Sequence, residues 1–193
     1  MGTMNLRRAM ERLIPEPEVR RYLAAFALVF AVSVPAGALL RVPVLSDLAK
    51  SFAEMKADVG EMPGGTVFLL ILLNSLFSSL LLLLTGLLAG VVPALSVAAN
   101  GLFMGLIYRH VASTAGQGQA ALFLLPHGLF EVPALLVIAS YGLWLGVGAV
   151  RRFRGREPRT IPDMLNLALR RYFTVVLPLL IAASAAETVR FLR

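Results

Sequence analysis

Residues 67–108 read VFLLILLNSLFSSLLLLLTGLLAGVVPALSVAANGLFMGLIY, a run without one charged side chain. As a single α-helix it would be about 63 Å long at 1.5 Å per residue. A bilayer's hydrocarbon core is about 30 Å thick and takes about 20 helical residues to cross. The run therefore holds two crossings. Gly86, Gly90 and Pro93 cluster near its middle, where a helix is easiest to end and restart. This predicts a second span at Thr66–Leu84 and a third at Val91–Tyr108, joined by an uncharged turn.

Working outward, three further runs are long enough to cross: Tyr22–Leu40, Gln119–Val150 and Thr174–Phe191. They are apolar all round, where a soluble helix would show one apolar stripe. Alternating short strands are lacking, which argues against a membrane barrel. Hydrophobic residues make up 58% of the chain, above the roughly 45–50% of soluble domains. The reading is an all-α, polytopic membrane helix bundle of about five transmembrane helices, forming a single membrane domain over residues 1–193. The first apolar run is too long for a cleavable signal peptide, and no cleavage site stands out after it. There is no cysteine, which excludes disulfides, cysteine-zinc sites and thiol catalysis.

Loop charge orients the bundle. Arg7, Arg8, Arg12, Arg20 and Arg21 precede the first span. Arg151, Arg152, Arg154, Arg156, Arg159, Arg170 and Arg171 lie between the fourth and fifth. Five spans place both groups on one side, whereas four would separate them. The positive-inside rule makes that side cytoplasmic. A multi-pass plasma-membrane protein with a cytoplasmic N-terminus and an external C-terminus is expected. Topology accounts for the net charge of +7, so nucleic acid is not an expected partner, while anionic lipid is. Residues 1–21 form a basic segment in which Leu6, Ala9, Met10 and Leu13 share one face, as in a short interfacial helix. The external loop Arg41–Gly65 repeats Leu45, Leu48, Phe52 and Met55 at helical spacing. This predicts a short external amphipathic helix over Ser46–Val59.

Three pairs of glycines are spaced four apart: Gly86 with Gly90, Gly101 with Gly105, and Gly142 with Gly146. Such spacing lets helices approach closely. Packing within one chain is the expected use, with a homodimer as the alternative. Gly128 is read as a further close-packing position. Asn74, beside Ser75, Ser78 and Ser79, and Asn100 fall inside spans. Bonding between neighbouring helices is the expected use of buried amides, and lining a polar pathway the functional alternative.

The fourth run contains Pro126-His127-Gly128-Leu129-Phe130-Glu131-Val132-Pro133. Two prolines and a glycine predict a helix break near Pro126–Pro133. His127 and Glu131, four apart, share a helix face. A carboxylate at lipid depth costs about 2.5–3.5 kcal/mol on insertion scales unless it is compensated. The pair can be a metal half-site, a proton relay or a structural hydrogen bond. Catalytic zinc usually has three protein ligands and structural zinc four. The one other histidine is His110, at the expected outer end of the third span, so His110, His127 and Glu131 can in principle converge. No HExxH pattern is present. The expectation is therefore no catalytic residue, no metal and no cofactor. Glu187 is a second acid inside a span. Arg190 is placed to pair with it, and a link to His127 is the other option.

These residues carry a resemblance. Asn74 in an apolar second span, Asn100-Gly101 followed by Gly105, the run from Pro126 to Ala134 and Glu187 in an Ala-rich last helix resemble the stage II sporulation protein M family. The resemblance extends over about Thr66–Arg193, and His-Gly-x-x-Glu is its most specific part. It implies a five-span fold with an external loop after the first span. The sporulation member looks like a membrane scaffold that recruits cell-wall hydrolases. The resemblance thus implies a non-enzymatic scaffold or subunit of a cell-envelope complex, with envelope proteins as partners. The alternative is a small transporter or channel-like protein with a polar His/Glu site at membrane depth. A less favoured one is an intramembrane metal-dependent hydrolase.

Overall fold

The computed structural model describes residues 11, 13–40, 62–88 and 90–191. The expected external helix at Ser46–Val59 lies outside these residues, as does nearly all of the expected interfacial helix at Asn5–Leu13. Among the described residues the chain is all helix, with no strand. Its elements are α1 (Pro17–Leu39), α2 (Gly64–Thr85), α3 (Val91–Ala115), α4 (Gln117–Pro126), α5 (Val132–Phe153), α6 (Ile161–Arg171) and α7 (Leu177–Phe191). Five-residue π turns at His127–Glu131 and Tyr172–Val176 join α4 to α5 and α6 to α7. Five helical stretches are long and apolar enough to cross a membrane.

The uncharged run divides where its glycines predict. α2 ends at Thr85, and Gly90, at φ +74°, turns the chain into α3. Gly116, at φ +89°, makes the joint between α3 and α4 alone. Side chains that cannot adopt positive φ cheaply would strain both turns. Large apolar side chains face outward, among them Leu28, Leu73, Leu95, Leu122 and Phe77, which is 70% exposed. That outward face suits lipid rather than water. Hydroxyls within the spans bond back to their own helices. Ser140 donates to the Leu136 carbonyl (2.6 Å), Ser184 to Leu180 (2.9 Å) and Thr188 to Ser184 (2.7 Å). No hydroxyl of these three is left unpaired in an apolar setting.

Both π turns have one cause. Each is followed by one residue and then a proline, Pro133 in the first case and Pro178 in the second. Proline has no N–H for the carbonyl four residues back, and its ring crowds that carbonyl. The ladder instead shifts to bonds five residues long: Val132 donates to the His127 carbonyl and Leu177 to that of Tyr172. The expected break near Pro126–Pro133 is thus a widened turn inside a continuous helix of 37 residues, Gln117–Phe153. The last span is likewise extended backward. Thr160 and Asp163 form a reciprocal capping box that starts α6, and Met164 and Ala168 bury its apolar face. Arg170 and Arg171 therefore ride on a helix that runs on into the membrane.

Glycine sets the helix spacing. α1 packs most extensively on α3. A methyl on Gly37 would overlap the Leu102 carbonyl, and one on Gly105 the Val34 carbonyl. A methyl on Gly101 would sit 2.7 Å from Ser33 Cβ. Gly86 meets the Gly142 backbone in the same way, and Gly146 is buried. The glycine pairs thus serve contacts within one chain. Gly128 differs, since a methyl there would meet only Met104 Cε at 3.5 Å.

The arginine-rich ends of the helices meet. Arg151 bonds Glu18 at 2.5 Å, tying the end of α5 to the start of α1. Glu16, 9% exposed, accepts a 2.6 Å hydrogen bond from the Tyr141 hydroxyl. Arg20 donates to the carbonyls of Ile14 and Pro15. The Arg159 guanidinium lies 5.7 Å from the Trp144 ring centre, close enough for a cation–π attraction. Among the described residues, Arg20 of the first basic group and Arg151 of the second thus share one end of the bundle.

Gly105→Ala should lower the thermal stability of the purified protein in detergent by about 1–3 kcal/mol, the usual cost of overpacking. Gly118→Ala, where a methyl meets nothing within 4 Å, should leave the melting curve in place. Tyr141→Phe removes a hydrogen bond to a carboxylate and should cost about 1.5–3 kcal/mol in the same melt. An unchanged melting curve would mean that Glu16 does not anchor the N-terminal segment.

Candidate polar site at membrane depth

His127 and Glu131 occupy the π turn, about 15 Å along the long helix from Gln117 at 1.5 Å per residue. His127 Nδ1 lies 2.8 Å from Glu131 Oε2. A neutral imidazole protonated at Nδ1 donates to the carboxylate in that geometry. From the last span, Glu187 places Oε1 4.0 Å from the same nitrogen. One ligand-type atom from each of the three side chains lies within 4.8 Å of the others. The link from Glu187 to His127 is thus present. Arg190, the other expected partner, has a side chain outside the described ones. His110 does not join this cluster. It stays near the end of α3, where its carbonyl accepts from Ser113 and Thr114.

In front of the pair is a cavity of about 420 Å³. Asn74 and Ser78 from α2 line one side, Ser96 and Asn100 from α3 the other, with His127 and Glu131 at its back. α2 packs on α5 and α7, and α3 on α1, α4 and α5, while α2 and α3 pack only lightly on each other, so the two walls part and leave a cleft. Asn74 and Asn100 are both exposed into it. The Asn100 amide donates to its own helix, at the Ser96 carbonyl (2.8 Å). Asn100 thus ties to its own helix and lines the cavity, the arrangement that the polar-lining alternative describes.

One residue that the sequence reading passed over supports the cleft. Tyr172, in the second π turn, brings its hydroxyl to 2.9 Å from Ser79 and 3.4 Å from the Leu76 carbonyl. This pins the last span to α2 just behind the cleft wall. The available signal was a tyrosine five residues before a Leu-Pro pair, matching the His127 to Val132-Pro133 spacing.

Such a site can hold a proton, a cation or a polar solute. It combines two acids, one imidazole and two amides in a setting where each would otherwise be costly. No match to the chain was found among curated proteins or solved structures. A comparison with protein families matches Stage II sporulation protein M over residues 23–189. That match takes in all five spans and every residue of the polar site, and the chain, a multi-pass membrane protein, belongs to the Stage II sporulation protein M family.

Proposed function

We propose that this chain is a small transporter-like membrane protein that receives a polar solute or ion in the cleft between α2 and α3. The observation that carries the reading is the coincidence of the cavity with His127, Glu131, Asn74 and Asn100. A purely structural polar cluster would be packed shut, since hydrogen-bonded groups in hydrocarbon gain nothing from adjoining open space. The long helix is continuous, so any alternation of access comes from the walls α2 and α3 rather than from a broken helix. Their divergence supplies the freedom for it. The positive-inside rule places the arginine-rich end in the cytoplasm, so the cleft residues of the fourth span lie in the outer half. The work is binding and passage, without covalent chemistry of its own.

A second reading is that of a scaffold or subunit in a cell-envelope complex, supported by the family to which the chain belongs. On that reading envelope proteins copurify in mild detergent, and repeated isolation of the chain alone counts against it.

The absence of cysteine makes the leading reading directly testable. Single Asn74→Cys and Asn100→Cys variants in membranes should react with a charged, membrane-impermeant thiol reagent. Leu28→Cys, on the outward apolar face, should not. If both cleft cysteines are as unreactive as the Leu28→Cys control, water does not enter the cleft and the transport reading fails.

A further inference from the structure

The reading of the cleft as a polar binding site leaves open which ligand chemistry its deepest residues suit. The geometry points to a divalent transition-metal site made by His127, Glu131 and Glu187, with zinc as the best-fitting ion.

The ligand set has the right number and kind. Open zinc sites have three protein ligands drawn from imidazole, carboxylate and thiolate, with a further position for water or substrate. Here one imidazole and two carboxylates converge from two different spans, so the site is formed by tertiary packing rather than by one helix. Zinc bonds of about 2.0–2.2 Å in a tetrahedron put neighbouring ligand atoms about 3.3 Å apart. The 2.8 Å and 4.0 Å separations around His127 Nδ1 bracket that value. The third separation, between the carboxylates, lies within 4.8 Å, so closing the set to three corners takes side-chain movements of about 1.5 Å in all. The fourth faces the cleft, where His127 and Glu131 both form part of the wall.

Charge argues the same way. Two carboxylates held within 4.8 Å of each other repel when both are ionised, and the repulsion is strong away from water. A dication matches the charge of the two acids, and the imidazole selects a transition metal over magnesium or calcium, which prefer all-oxygen sites. The side chains of His127 and Glu131 are each 30% exposed and line the cleft, so an ion reaches them from there, and Glu187, 17% exposed, closes the set from the last span. The π turn adds a reason for the placement, since such turns recur where a helix must aim side chains at a site.

The test uses the full-length chain purified in detergent, stripped with a chelator and titrated with zinc alone. One zinc per chain should bind, by calorimetry and by metal analysis after desalting. Co²⁺ in place of zinc should give the intense visible absorption of a four-coordinate ion. His127→Ala, Glu131→Gln and Glu187→Gln should each weaken zinc binding by at least about 100-fold, more than the 10–100-fold loss typical of outer-shell partners. His110→Ala should bind as the parent does. Folding of each variant is checked by its melting curve, and the Co²⁺ spectrum of the parent chain decides the matter should a variant unfold. Absence of saturable zinc binding by the folded parent overturns the proposal, as does a Co²⁺ spectrum of purely water-like coordination. Undiminished binding in all three folded variants also overturns it. Thiol labelling at Asn74→Cys and Asn100→Cys separates the two failures. A labelled cleft without metal removes the metal site and leaves the transport reading, whereas an unlabelled cleft removes that reading itself.

Discussion

Two carboxylates inside membrane-spanning helices impose the constraint around which the bundle is organised. Each costs about 2.5–3.5 kcal/mol at lipid depth unless something compensates it. Glu131 finds His127 four residues back on the same helix, and Glu187 reaches the same imidazole from another span. The first contact lies within one helix, but the second works only while the fourth and fifth crossings are held at a fixed distance and rotation. The Ser79–Tyr172 hydrogen bond steadies the fifth crossing from the side of α2.

The remaining packing serves the same end by a different means. In lipid there is little hydrophobic force between helices, so close van der Waals approach must supply association. Gly37 and Gly105 bring α1 and α3 backbone to backbone, and Gly86 and Gly142 do so for α2 and the fourth span. α2 and α3 both pack on the fourth span but only lightly on each other. The polar cleft is the space left between them. At the opposite end from Glu187, Glu16, Glu18, Tyr141 and Arg151 tie the start of α1 to the end of the long helix.

Much of this was legible in the sequence, for identifiable reasons. Length and uncharged character over 67–108 required two crossings, and glycine marked the turn. The arginine clusters gave the parity of five, and the Arg151–Glu18 contact ties the end of the long helix to the start of α1. The family resemblance rested on the His127–Glu131 run, and that run lines the cavity. What escaped depended on tertiary distance. Nothing in one chain's spacing says that Glu187, fifty-six positions after Glu131, faces it while His110 does not. The Pro133 effect read as a break because proline usually ends a helix. In lipid, the cost of unpaired backbone instead favours a π turn that keeps the helix going. The cavity beside Asn100 was illegible for a similar reason, since it exists only once the helices have packed.

The central claim is that His127 and Glu187 act on one another across two spans. A double-mutant cycle on thermal stability in detergent, using His127→Ala, Glu187→Ala and the double variant, measures this directly. Residues in contact or in one network couple by about 0.5–3 kcal/mol, so the double variant should differ from the sum of the single effects by that amount. Additive effects within experimental error would mean that the two spans do not share a polar centre.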